Sequence, residues 1–182
     1  NGVVGPAHVS AIIGCDPYQE IAENFEIPIV IAGFEPLDIL QALLMLLCQV
    51  NTGRADIENQ YDRAVTDQGN YSAIVSMANT FELRDCFEWR GIGELSNSAL
   101  KLSKNYYMLD AEKRFDMSAV AVPDNPACEC GQILQGKKKP QECKLFGSAC
   151  RPDTPLGACM VSAEGACAAH WAYGRFRDEA EV

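Results

Sequence analysis

Ile27-Pro28-Ile29-Val30-Ile31-Ala32-Gly33 is the stretch that decides the fold. A short, unbroken apolar run with Pro28 at its head and Gly33 behind it predicts a strand over 28–32 that is buried on both faces. A helix follows. Pro36 suits a first helical turn, Asp38 suits the positive end of the helix dipole, and Leu37 to Val50 carries straight-chain helix formers up to Asn51-Thr52-Gly53. That helix is apolar nearly all round, so it is expected to be buried. Upstream, Val9, Ile12, Ile13, Ile21 and Phe25 recur at helical intervals, with a break at Gly14 to Pro17.

Farther along, residues 56–63 are a candidate second strand, and Tyr71 to Glu82 resumes helical spacing through Ile74, Val75, Ala78 and Phe81. Trp89-Arg90-Gly91-Ile92-Gly93 is expected to be a loop, Glu94 to Leu102 a strand and Met108 to Phe115 a short helix. Alternation of this kind predicts an α/β layer structure with a mostly parallel sheet. At Val122-Pro123-Asp124-Asn125-Pro126 the composition turns to Pro, Gly, Lys and Cys. The expected organisation is therefore an α/β domain over 1–122, whole or partial, and a small cysteine-rich domain over 123–182.

Residues 1–122 hold 8 Lys and Arg against 17 Asp and Glu, and residues 123–182 hold 7 against 8, for a net charge of -10 overall. An acidic body repels phosphate backbones, and Lys137-Lys138-Lys139 is too short to offset it, so nucleic acid is not an expected partner. The three lysines are expected to form a solvated loop. No apolar run approaches the roughly 20 residues of a membrane span. The chain begins at Asn1 without an initiator Met or a secretory pattern, which suggests a piece of a longer protein.

Six of the nine cysteines, Cys128, Cys130, Cys143, Cys150, Cys159 and Cys167, crowd into polar, turn-forming sequence that lacks the apolar residues for a core. Three chemistries compete. Disulfides require an oxidising compartment and leave fifteen pairings among six cysteines open. Zinc prefers two close pairs, and Cys128-Glu129-Cys130 is the one close pair here. An iron–sulfur cluster accepts single, widely spaced thiolates from loops rich in Gly and Pro, which favours it without deciding the matter.

The run Cys128-Glu129-Cys130-Gly131, then Gly136 and Pro140, then Cys143-Lys144-Leu145-Phe146-Gly147-Ser148-Ala149-Cys150, then Pro155 through Cys167, resembles the C-terminal part of the HypD family of NiFe-hydrogenase maturation proteins. Pro6-Ala7-His8-Val9-Ser10, Ala32-Gly33-Phe34-Glu35-Pro36-Leu37-Asp38, Asn59-Gln60-Tyr61-Asp62-Arg63, Gly69-Asn70 and Trp89 to Gly93 are similar to that family's motifs, in its order. The resemblance implies that Cys128, Cys143, Cys150 and Cys167, with fourteen, six and sixteen residues between them, hold a 4Fe-4S cluster. Cys130 and Cys159 are left as thiols packed beside it or as partners in thiol–disulfide exchange.

It further implies a cytoplasmic scaffold on which iron gains cyanide and carbon monoxide ligands, with the cluster relaying electrons. A HypC-like chaperone, a HypE-like cyanide donor and, indirectly, the hydrogenase large subunit would be its partners. That is an assembly role more than enzyme turnover. The family's Cys-Gly-Thr-His and Gly-Pro-Gly-Cys-Pro-Val-Cys motifs are absent from this chain. His8 and Glu35 are candidates for the iron-site cleft: His8 at a helix start, Glu35 in a strand-to-helix turn where open α/β sheets hold ligands. Their ordinary alternatives are a packing histidine and a helix-start carboxylate. Asp38 is expected to serve the helix dipole, Asn59 and Arg63 receive no role, Phe34 and Trp89-Arg90 are expected to pack, and His170 is a surface or packing residue. The rival readings are a zinc-stabilised interaction module and a stand-alone disulfide reductase using Cys130 or Cys159.

Overall fold

The structure is a computed structural model that describes residues 2–115 and 124–174. It divides into two compact units, residues 1–81 and 82–182. The sequence-derived boundary at 122–123 lies outside the described residues.

In the first unit, β1 (Val3–Pro6), β2 (Ile29–Ala32) and β3 (Ile57–Asn59) form a parallel sheet in the order β1-β2-β3. Helices α1 (Ala7–Ile13) and α2 (Asp16–Phe25) join β1 to β2, and α3 (Pro36–Thr52) joins β2 to β3. The structure thus bears out an α/β arrangement with a parallel sheet. All four residues of β2 are buried, as the unbroken apolar run requires. Ile29 and Ile31 pack with Ala7, Cys15, Ala22 and Val65 on one face, while Val30 and Ala32 meet Ala42 and Leu46 of α3 on the other. Each fully buried Ile or Val of this strand contributes about 1.5–3 kcal/mol relative to an exposed position.

Two sequence expectations change here. The strand β1 was not anticipated, because Val3-Val4 is too short to show a period. Its place is fixed by pairing: Gly5 lies opposite Ile31, whose δ-methyl fills the space a Cβ on Gly5 would take. The helix α3 is not buried all round. Asp38, Ala42, Leu46 and Gln49 face inward, while Leu37, Leu40, Leu44 and Leu47 form an outer stripe, each more than half exposed. One helical layer on a three-stranded sheet can bury only one face of a helix.

The break between α1 and α2 falls at Gly14, whose φ of 82° and close approach to Asp67 leave no room for a side chain. Helix α4 (Tyr71–Thr80) begins at Asn70, whose side chain accepts from the Ala73 amide. Among the described residues, no helix is long and apolar enough to cross a membrane.

Strand β4 (Phe81–Leu83) pairs with β7 (Leu100–Leu102), and β5 (Cys86–Trp89) pairs antiparallel with β6 (Gly93–Ser96). The expected loop at 89–93 is the tight turn of that hairpin, and the expected strand over 94–102 is split between β6 and β7. The expected helix over 108–115 is a 3₁₀ segment, Lys104–Leu109, followed by α5 (Ala111–Arg114). Short helices α6 (Cys130–Leu134), α7 (Ala158–Val161) and α8 (Ala166–Tyr173) then frame a core made largely of sulfur: Cys130, Cys143, Cys150, Cys159 and Cys167 with Ile133, Met160 and Ala168. Cysteine here takes the place of the aliphatic residues the segment lacks.

Candidate metal centre

Cys128, Cys143, Cys150 and Cys167 line a single pocket, together with Leu145, Phe146, Gly157, Met160 and the pair Cys130 and Cys159. Separate elements deliver the four thiols. Cys128 precedes α6, Cys143 follows the 3₁₀ turn Pro140–Glu142, Cys150 closes a loop bridged to Phe146, and Cys167 rides the first turn of α8. Gly157 makes the close approach possible, because a Cβ there would overlap Cys128 Sγ and lie 3.4 Å from Cys130 Cβ.

The pocket wall is apolar, and its chemistry follows. Burial pushes the Cys167 thiol up to about 11, and the neighbouring Cys143, Cys150 and Cys128 push the same way. Burial also raises Cys128, against a backbone amide at Cys130 that favours its thiolate. The Leu156 N–H donates to Cys150 Sγ at 3.4 Å. Four thiolates cannot share this site without a cation. The donor set is all sulfur, which suits soft metal chemistry. Among the described residues, no three His, Cys, Asp or Glu side chains are gathered closely enough to hold one metal ion.

Cys130 and Cys159 form a disulfide beside the pocket, and each is only 3% exposed. The Cys159 N–H donates to Cys130 Sγ at 3.3 Å. Cys15, Cys48 and Cys86 are free thiols elsewhere, Cys15 buried and the other two exposed. Lys138, expected in a solvated loop, instead pairs with Glu129, between Cys128 and Cys130, and holds its carboxyl below the usual range. His170 packs its ring against Phe146 at 5.6 Å, which matches its packing role.

A second constellation sits at the C-terminal edge of the parallel sheet. His8, in the first turn of α1, is exposed and lies with its ring 5.4 Å from that of Phe34. Glu35 is the N-cap residue of α3 and is largely exposed, with Oε2 3.9 Å from Arg63 Nη2. The residue that organises this edge is Asp38, 4% exposed. It accepts from Arg63 Nη1 at 2.9 Å and Nη2 at 2.6 Å, and from Gln60 Nε2 at 3.1 Å. The Arg63 guanidinium also lies over the Tyr61 ring, 4.0 Å from its centroid. This two-pronged bond holds the Asp38 carboxyl below its ordinary value. Asn59 is structural: its side chain donates to the Val65 carbonyl and accepts from the Tyr61 amide.

Sequence reasoning assigned Asp38 to the helix dipole and gave Arg63 no role. Twenty-five residues separate the two, and no local pattern signals a pair at that spacing. Gly33 carries the one hint, since a Cβ there would collide with the Asp38 carboxylate and the Tyr61 ring.

Comparison with known proteins identifies the family. The HypD family model, described as the hydrogenase formation hypA family, matches residues 1–174. The hydrogenase maturation factor HypD of Rhizobium leguminosarum bv. viciae is 63% identical over 179 residues, covering 98% of this chain and 46% of that protein. That of Cupriavidus necator is 57% identical over 178 residues, covering 98% and 47%. That of Escherichia coli (strain K12) is 45% identical over 183 residues, covering 99% and 49%. The chain spans about half the length of these curated relatives. With a family match over nearly its whole length and the motif residues gathered at two sites, the chain belongs to the HypD family.

Proposed function

We propose that this chain is part of a NiFe-hydrogenase maturation factor, in which Cys128, Cys143, Cys150 and Cys167 hold a 4Fe-4S cluster. The carrying observation is the lining of one apolar pocket by all four of these thiols. The pairing of Cys130 with Cys159 supports a cluster over zinc, because it takes one sulfur from Cys128-Glu129-Cys130, the one close pair of the kind that zinc sites favour, and leaves four singly spaced thiols. A cluster held there supplies one-electron transfer.

The chain's own groups set the conditions for that chemistry. Leu145, Phe146 and Met160 exclude water, the Leu156 N–H donates to Cys150 Sγ and fixes its direction, and Gly157 lets Cys128 and the disulfide approach closely. Cys130 and Cys159 then form a two-electron store, since their disulfide takes two electrons and two protons to become two thiols. Burial of that disulfide supports an internal relay over a stand-alone reductase that must meet a partner's disulfide directly.

In this reading the whole protein is a cytoplasmic scaffold for assembling the iron centre with its cyanide and carbon monoxide ligands, working with HypC-like and HypE-like partners. His8 and Glu35 at the sheet edge face that task, with Asp38 and Arg63 fixing the turn that carries Glu35.

A chimera tests this. Residues 2–182 replace the matching half of the Escherichia coli relative in a strain lacking that relative, and hydrogen-dependent dye reduction is measured. Restored activity that is lost on Cys150→Ala supports the proposal. A folded, expressed chimera that gives no activity, or one indifferent to Cys150→Ala, counts against it.

A further inference from the structure

The Trp89–Gly93 turn has no part in the centre described above, yet it lies against the disulfide. It joins β5 and β6, whose residues are all exposed, so the hairpin buries little and belongs among the segments that open easily. At its tip Gly91 has a φ of 77°. A Cβ added at Gly91 would lie 3.6 Å from Cys130 Sγ, and one added at Gly131 would overlap the Gly91 carbonyl. Backbone therefore rests on backbone directly over a disulfide sulfur, a packing that glycine at both positions allows.

One side chain fastens the tip. Asp124 Oδ2 accepts from the Gly91 N–H at 2.8 Å, and Asp124 Oδ1 lies 3.6 Å from Arg90 Nε. On its other side Cys130 lines the pocket with the four thiols. Thiol–disulfide exchange needs a thiolate to reach a sulfur, and here the turn lies over one of the two.

We propose that the β5–β6 turn is a lid over Cys130 Sγ, latched by Asp124, and that its opening sets the rate at which a thiol from outside reaches the Cys130–Cys159 disulfide. The proposal concerns the disulfide and extends the relay role given to this pair above. It holds whether the neighbouring thiols carry a cluster or another metal.

Reduction by dithiothreitol of the full chain, folded and under anaerobic conditions, tests it. One dithiothreitol thiolate attacks a disulfide sulfur and expels the other cysteine. The second dithiothreitol thiol then closes its own ring and releases the first, leaving two protein thiols and one oxidised dithiothreitol. Samples quenched over time are alkylated and mapped by peptide mass at Cys130, Cys159 and, as a control, buried Cys15. Asp124→Ala is expected to speed reduction about five- to tenfold, as loss of a charged hydrogen bond at a partly exposed site would. Asp124→Asn, which keeps an acceptor oxygen, should fall between. Labelling of Cys15 should not change, and all forms should reduce at one rate in guanidinium chloride. If Asp124→Ala lowers the urea midpoint, the exposed Arg90→Ala carries the comparison, with an expected acceleration of about twofold. Wild-type rates in both variants, or equal acceleration at Cys15, would overturn the lid.

Discussion

Exchanging one methyl group between neighbouring strands tests the sheet that positions the cleft edge. Gly5 of β1 lies opposite Ile31 of β2, and a Cβ on Gly5 would collide with the Ile31 δ-methyl while meeting Ile29 Cγ2 and Ile31 Cα at an ordinary 3.6 Å. Ile31 is fully buried, so its side chain has little room to give. Ile31→Val removes that methyl and should cost about 1 kcal/mol. Gly5→Ala overpacks the site by about 1–3 kcal/mol, offset by about 0.4–1 kcal/mol from a less flexible unfolded chain, for a net cost of about 1 kcal/mol. Independent changes would sum to about 2 kcal/mol. In the double variant the new Cβ occupies the space the δ-methyl left, so the cost should fall below about 0.5 kcal/mol, a coupling of about 1.5 kcal/mol. Urea denaturation followed by far-UV circular dichroism, at a shared m-value, reads this difference. A double variant destabilised by the full sum would show that β1 does not pair with β2 in this register.

Other consequences are open to measurement. The Asp38 carboxyl is held low by Arg63, so the unfolded chain binds more protons and the contribution of this pair is present above pH about 3.9 and lost as pH falls through the lower folded value. Urea midpoints between about pH 3 and 6 should therefore fall with acid in the wild type, and Arg63→Met should flatten that fall, because a carboxyl no longer held low binds protons alike in the folded and unfolded chain; an unchanged profile would remove the pair from the account. Leu40→Gln and Leu44→Gln, on the exposed stripe of α3, should leave stability within about 0.5 kcal/mol, whereas a loss of several kcal/mol would mean the stripe is covered. Gly157→Ala drives a methyl into Cys128 Sγ and should cost about 1–3 kcal/mol while lowering bound iron; unchanged iron content would show that Cys128 is not held by this contact.

What the sequence revealed follows from the range of each signal. The run around Ile29-Val30-Ile31 announced a doubly buried strand because both its faces are covered, by α1 and α2 residues on one side and α3 residues on the other. The break at Gly14 and the start of α4 at Tyr71 were visible because glycine punctuation and the onset of helical spacing are local, whereas the Asn70 cap was not read. Strand β1 was invisible, since four residues with one buried cannot display a period. Burial of α3 was misjudged because hydrophobicity reports what a helix can bury and not what is present to cover it. The family resemblance, and not spacing alone, singled out the four thiols that line the pocket with Cys130 and Cys159. The Asp38–Arg63 fork, the Glu129–Lys138 pair and the Gly91–Gly131 contact were not, because each joins residues that only the folded chain brings together.

The most direct test is the metal content of the anaerobically purified chain, with iron, acid-labile sulfide and zinc measured together. About four irons and four sulfides per chain, with a broad absorption near roughly 400 nm, are expected in the wild type and in Cys48→Ala, and alanine at Cys128, Cys143, Cys150 or Cys167 should abolish or sharply lower them. A colourless chain with one zinc, or iron that persists after loss of Cys150, would contradict the account.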